Sequence, residues 1–239
     1  MAEIPRAGAR ESRHSAVVDR LGKDITSGEL PAGLVLKSDE LERRYGVSRS
    51  VMREGLRVLE NMAMVSSRRN VGVMIRPAAH WNVYDPLVIR WRLDGGGRAA
   101  QLLSLTELRS AVEPLAAQLA AGRMDGGDGA RLVRLAAALV AEARSGDLGA
   151  FLPLDIEFHA LILKGSGNEM LAHLHDVIAE VLTGRTEHGL MPAHPTPEAR
   201  DLHTEVADAI VRGDAVAART AMQRIVDQAG EEMSGALGM

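Results

Sequence analysis

The 239-residue chain contains no cysteine. Disulfides, thiolate metal sites and a cysteine nucleophile are therefore excluded, and the absence accords with a reducing compartment. No run of about 18 apolar residues occurs, so no membrane-spanning helix is expected. The first 30 residues hold Arg6, Arg10, Arg13, Arg20 and Lys23 and no continuous apolar stretch. That argues against a signal peptide and for a cytoplasmic protein. Lysine is scarce: 3 Lys stand beside 25 Arg, a skew better explained by GC-rich coding than by function. The rest is ordinary for a globular chain, with 46% hydrophobic and 25% charged residues. The length suits one or two domains with a sizeable core.

The net charge of −4 argues weakly against a nucleic-acid partner, but it is an average over unlike parts. Residues 1–77 hold 14 Lys+Arg and 10 Asp+Glu, a net of +4. The remainder holds 14 and 22, a net of −8. Such asymmetry suggests halves with different partners. From Pro77, a turn-prone stretch with Asn82 and Asp85-Pro86 predicts a linker and connecting helix over 78–97. The expected organisation is thus a basic domain at 1–77 and a larger domain at 98–239.

In the basic part, Val17, Val18, Leu21 and Ile25 form a helical stripe that stops near Gly28. Ser38 is placed to cap a short helix ending at Gly46, and Ser48 a longer one with Val51, Leu56, Leu59 and Met62 inward. Then the period changes. Val65, Val71, Val73 and Ile75 surround a polar tip, Ser66-Ser67-Arg68-Arg69-Asn70, which predicts a two-stranded wing. Two helices joined by Gly46-Val47 make a helix-turn-helix candidate, whose second helix would enter the DNA major groove N-terminal end first. That geometry needs donors on the first turns. Ser48, Arg49, Ser50 and Arg53 supply them, and Arg49 and Arg53 share a face. Arginine can bond guanine bidentately or clamp phosphate. Arg68, Arg69 and Asn70 would reach the minor groove or flanking phosphates.

Beyond the linker the period is helical throughout, over about 98–123, 129–145, 148–164, 168–188, 197–212 and 214–236. This half is expected to be an all-α bundle, so the fold class is mainly α with an N-terminal winged helix-turn-helix. Asp155 and His159 lie four apart, on one face, among Leu152, Leu154, Phe158, Leu161 and Ile162. A carboxylate there needs a partner. With His203 from a later helix the set suits Zn²⁺, Ni²⁺ or Mn²⁺. The spacing by itself favours an Asp–His hydrogen bond that orients a helix. His173 and His175 are two apart and read as surface or packing residues; the spacing of His188 and His194 recommends neither as a ligand.

The run from Ile25 through Gly28, Leu30-Pro31-Ala32-Gly33 and Leu36, then Ser38-Asp39-Glu40-Leu41, then Tyr45-Gly46-Val47-Ser48-Arg49-Ser50-Val51-Met52-Arg53-Glu54-Gly55-Leu56 to Leu59, resembles the winged helix-turn-helix signature of the GntR family of bacterial transcription regulators. The likeness spans about 13–76 and implies that Ser48, Arg49, Ser50 and Arg53 touch operator DNA, with the wing tip in support. This chain departs from the pattern at three places. Gly55 stands where Ala is usual, Asp39 where some relatives have a DNA-contacting Arg, and Asn70-Val71-Gly72 where Gly-x-Gly is commoner.

Residues from Glu107-x-Arg109 and Glu113-Pro114-x-Ala116, through Asp155, Phe158-His159, Gly167-Asn168 and His203, to Ala209-Ile210, Gly213-Asp214, Ala218 and Met222, resemble the FCD ligand-binding domain of the FadR subfamily. The likeness covers about 98–235. It implies a divalent metal on one Asp and three His, of which Asp155, His159 and His203 match three and Ile225 replaces the fourth. It also implies that Arg109 faces a carboxylate effector; an intrahelical ion pair with Glu113 is the alternative. The segment His80-Trp81-Asn82 to Trp91 resembles that of sugar-acid operon regulators, and its two tryptophans are expected to pin the domains together.

The combined expectation is a homodimeric repressor that binds double-stranded operator DNA under control of a small carboxylate, a sugar acid foremost. A metal-responsive regulator, with the ion as signal, is the neighbouring reading. A two-His-one-carboxylate metalloenzyme is the distant one, because nothing beside the set reads as a separate general base; an enzyme is not expected.

Overall fold

A computed structural model describes residues 8–68, 71–192 and 196–238. The chain divides into two compact units, Met1–Arg98 and Ala99–Met239. Among the described residues, no helix is long and apolar enough to cross a membrane.

The first unit opens with α1 (Gly8–Thr26), whose stripe of Val17, Val18, Leu21 and Ile25 is buried as its spacing requires. A two-residue strand, β1 (Val35–Leu36), leads to α2 (Ser38–Tyr45) and α3 (Arg49–Asn61). The α2 cap is Lys37 rather than Ser38: the Lys37 backbone N–H donates to Glu40 Oε2 at 2.8 Å, which satisfies the helix start from within. Gly46 ends α2 at φ 65°, and Ser48 caps α3 by accepting from Val51 N–H. The buried face of α3 is Met52, Gly55, Leu56 and Leu59; Val51 is only half-buried. A Cβ on Gly55 would sit 3.1 Å from Val17 Cγ1, so this glycine lets α1 and α3 approach closely.

The wing is β2 (Val65–Arg68) and β3 (Gly72–Ile75), antiparallel, with Val65 opposite Ile75 and Arg68 opposite Gly72. The sheet has three strands, not two, in the order β1-β3-β2. Strand β1 is too short to leave a period in the sequence. Its presence explains Gly72, which adopts φ 126° and would place a Cβ 2.5 Å from the Leu36 carbonyl oxygen. Glu60 ties the wing to α3 by accepting from Ser67 N–H at 2.8 Å.

The segment expected as a linker and connecting helix contributes α4 (Pro86–Asp94) to this same unit. Asp85 caps it by accepting from Leu87 N–H at 3.0 Å, with Pro86 at the first helical position. Trp91 is 1% exposed, lies over Gly22 of α1 and donates its indole N–H to Asp19 at 2.8 Å. Trp81 donates to the Arg76 carbonyl at 2.9 Å. Both tryptophans therefore pack within the first unit, and the expectation that they pin two domains together is corrected. An indole needs a large apolar surface and one acceptor, and α1 and the wing edge provide both.

Among the described residues the second unit is built from helices alone: α5 (Arg98–Ala120), α6 (Gly126–Ser145), α7 (Leu148–Gly165), α8 (Glu169–Ala172), α9 (His175–Glu187), α10 (Pro197–Val211) and α11 (Ala215–Leu237). One contiguous core joins Leu132, Leu139, Phe158, Ile162, Val206 and Met222. The glycine-rich run 126–129, which reads as a break, is the first turn of α6. Asp125 caps it by accepting from Gly127 N–H and Asp128 N–H at 2.8 and 2.9 Å. The single helix expected over 168–188 is two, parted at His173-Leu174.

Candidate functional site

Two surfaces carry chemistry, one in each unit. In the first, α3 presents Ser48, Arg49, Ser50 and Arg53 to solvent, all exposed, while its opposite face is sealed in the core. The Ser48 and Ser50 hydroxyls lie 3.1 Å apart. Among the described residues neither Arg49 nor Arg53 is held by an acidic partner, so both guanidiniums keep their full donor capacity. Arg68 is exposed at the end of β2. Arg69 and Asn70 lie outside the described residues.

The second surface is a cavity in the helical unit. Helix α7 supplies Asp155 and His159 one turn apart, and α10 supplies His203. His203 Nε2 lies 3.1 Å and His159 Nε2 3.4 Å from the same oxygen, Asp155 Oδ1. Phe158 packs edge-on against both imidazoles, with ring centres 5.7 and 5.1 Å away. The three side chains that spacing and resemblance singled out are thus brought together.

Behind them stands a chain of buried charge. Arg109 and Glu113, one turn apart on α5, are each 1% exposed, and Arg109 Nε donates to Glu113 Oε1 at 2.6 Å. The ion pair with Glu113, open as an alternative from sequence, is the arrangement found; Arg109 also borders the cavity. Glu113 Oε2 in turn lies 2.6 Å from His159 Nδ1. Burial alone would raise the Glu113 pKa, but the Arg109 charge, then His159, outweigh it and hold it down to about 2. Burial would lower that of His159, but Glu113 and Asp155 outweigh it and raise it to about 9. Asp155, against the same desolvation, is held well below the usual range by the adjacent imidazoles of His159 and His203.

The donor set fits a divalent metal. One carboxylate oxygen and two imidazole nitrogens lie within 4.8 Å of one another. Two bonds of about 2.1 Å at a tetrahedral angle span about 3.4 Å, close to the N–O separations found. Neither ring nitrogen of His159 makes a well-aligned hydrogen bond, although the ring is buried. A carboxylate on the far nitrogen of a ligating histidine, the position of Glu113, is what orients such ligands elsewhere. Ile225, from α11, lines the same cavity and offers no ligand atom to it. His175 is exposed and sits beside Asp176 and the Ala172 carbonyl, away from this set. His194 lies outside the described residues.

Sequence reasoning missed Arg185, Gln228 and Glu232, which also line the cavity. The signal was available for Arg185. It follows Val181 by one turn on the buried stripe Val177, Ile178, Val181, Leu182 of α9, where a cation is out of place without a partner.

Comparison with known proteins finds a match for each unit. Residues 13–75 match the model of the bacterial regulatory proteins of the gntR family, and residues 104–228 match the FCD domain. The chain belongs to the FCD-containing GntR regulators. Over 86% of its length it is 28% identical to the galactonate operon transcriptional repressor of Escherichia coli, of which it covers 90%. Over 91% it is 26% identical to the HTH-type transcriptional regulator YieP of the same organism, of which it covers 94%. The Lar regulator of Listeria monocytogenes shares the fold, with TM-score 0.60 and 17% identity over 98% of this chain and 99% of that one. These GntR relatives are transcription regulators, not enzymes. The winged head of this GntR/FCD regulator accordingly implies DNA, and its helical domain a small-molecule effector.

Proposed function

We propose that the chain is a homodimeric repressor whose winged heads read the two halves of a pseudo-palindromic operator. A small hydroxy-carboxylate, a sugar acid foremost, would control it from the helical cavity. The observation that carries this reading is the coexistence, in one chain, of an exposed arginine-bearing recognition helix and a buried Asp–His–His centre. The likeness to a galactonate operon repressor supports the sugar-acid class.

On DNA, Arg49 and Arg53 bond base edges, Ser48 and Ser50 bond phosphate, and the wing basic residues track the flanking backbone. In the cavity, Asp155, His159 and His203 would hold a divalent cation, which would supply Lewis-acid affinity for a carboxylate and a neighbouring hydroxyl. Glu113 keeps the His159 ring in place and Arg109 keeps Glu113 ionised. Ligand occupancy biases the placement of the heads, a coupling free energy between distinct sites.

Arg49→Ala and Arg53→Ala are each predicted to weaken operator binding by about 1–3 kcal/mol while leaving the melting temperature unchanged. Anisotropy titration on DNA from the chain's own upstream region tests this; unaltered binding in both variants removes them from the interface. For the metal, ZnCl₂ at about 100 times its Kd should stabilise the helical unit by about 2.7 kcal/mol. Asp155→Asn should abolish that gain. An equal thermal shift in the variant would place the ion elsewhere.

A further inference from the structure

We propose that Arg185 is the carboxylate anchor of the helical cavity, with Glu232 as an internal stand-in that the effector's carboxylate displaces. This deepens the effector reading above and rests on it. Arg185 comes from α9, is 6% exposed, and lines the same cavity as Asp155, His159 and His203. Its Nη2 donates to Glu232 Oε2 at 3.0 Å, but its Nε has no acceptor among the described residues. A planar guanidinium with five donors, buried and incompletely satisfied, is suited to a second acceptor with carboxylate geometry. Arg109, by contrast, already directs Nε and Nη2 at Glu113, at 2.6 and 3.4 Å, behind the imidazoles. It is the structural cation of the pair, and Arg185 is the available one.

Glu232 is built for release. Its side chain is 21% exposed, so it can rehydrate, and Gln228 Nε2 donates to its Oε1 at 2.8 Å independently of Arg185. The charge around the cavity favours an acid. Three guanidiniums, Arg109, Arg185 and the partly exposed Arg200, stand against three carboxylates, Glu113, Asp155 and Glu232. A divalent cation on the imidazoles leaves an excess of positive charge that an anionic ligand offsets. Burial, then the neighbouring Arg109, push the Arg185 pKa down to about 10, which still leaves it cationic near neutrality. Displacement of Glu232 would also break a direct tie between α9 and α11.

The test is calorimetric titration of the full-length, Zn²⁺-loaded protein with sodium D-galactonate, D-glycerate and L-lactate. Arg185→Gln should weaken the best-binding acid by about 10–100-fold, the range of a charge-assisted hydrogen bond. Its Zn²⁺ affinity, read by chelator competition, should be unchanged. Glu232→Gln removes the competitor and should strengthen the same acid several-fold, which a merely structural ion pair would not do. Equal acid binding by wild type and Arg185→Gln overturns the anchor and leaves the effector reading standing. No acid binding by wild type overturns the effector reading and the anchor with it. If Arg185→Gln does not fold, Glu232→Gln decides alone: unchanged or weaker binding overturns the proposal.

Discussion

Arg109→Ala is expected to destabilise the helical unit by about 3–5 kcal/mol, the range for removing one partner of a buried ion pair. The reasoning is local. Glu113 is fully enclosed, and its ionisation depends first on Arg109 and then on His159. Without the guanidinium, two buried carboxylates, Glu113 and Asp155, share the two imidazoles alone. Removing both partners, as Arg109→Met with Glu113→Gln, should cost less than Arg109→Ala, because no uncompensated charge is left. Urea unfolding followed by far-ultraviolet circular dichroism checks this. A loss below about 1 kcal/mol for Arg109→Ala would mean that water reaches the pair. Trp81 and Trp91 both lie in the first unit, so their fluorescence reports on that unit and circular dichroism is needed to follow the second.

Trp91→Ala is expected to destabilise the first unit by about 3–5 kcal/mol through loss of buried aromatic surface. Gly22→Ala should act at the same contact from the other side. A Cβ there would lie 2.4 Å from the Trp91 ring, so α1 and α4 must part or the indole must turn, at about 1–3 kcal/mol. The two changes are predicted to be non-additive. With the indole gone, the methyl at position 22 meets no ring, and the double variant should be no less stable than Trp91→Ala alone. Trp81 fluorescence in urea reads the head in every variant. Additive losses would show that Gly22 matters for a reason other than the ring above it.

The pattern of what could be read from the chain has a physical basis. The α3 helix was legible because three signals coincide: a capping Ser48, a left-handed Gly46 before it, and an apolar period broken by exposed Arg49 and Arg53. Asp155 and His159 were legible because a helix fixes side chains four apart on one face. That His203 joins them is a tertiary fact: its residue type on a later helix suggests it and the resemblance matches it, but no local spacing fixes it. Strand β1 was illegible, since two residues carry no period. The α6 start was misplaced because glycines were read by propensity, whereas Asp125 supplies a cap that outweighs it. Asn82 and Asp85-Pro86 predict a linker with a connecting helix. The same Asp-Pro pair is the start of that helix, but the pairing of Trp91 with Gly22, far apart in the chain, is invisible to any local rule. Arg185 was passed over because it matched no motif, although its place on an apolar stripe marked it.

The charge division now has a structural counterpart. The basic excess of residues 1–77 is spread over a unit whose recognition helix exposes Arg49 and Arg53 to solvent. The acidic excess lies with the helical unit, whose cavity pairs its buried carboxylates with guanidiniums and imidazoles.

The central claim is that the helical cavity governs what the winged head does on DNA. Anisotropy titration of the Zn²⁺-loaded protein against its own upstream DNA, with and without saturating galactonate, glycerate or lactate, tests it directly. Affinity should fall steeply between 50 and 200 mM salt, by about 10³-fold or more if six or more phosphates are engaged. At fixed salt, one of these acids should shift it by at least about fivefold, the lower bound of a typical allosteric coupling. Salt-insensitive binding, or an affinity that no acid and no added metal alters, would contradict the account.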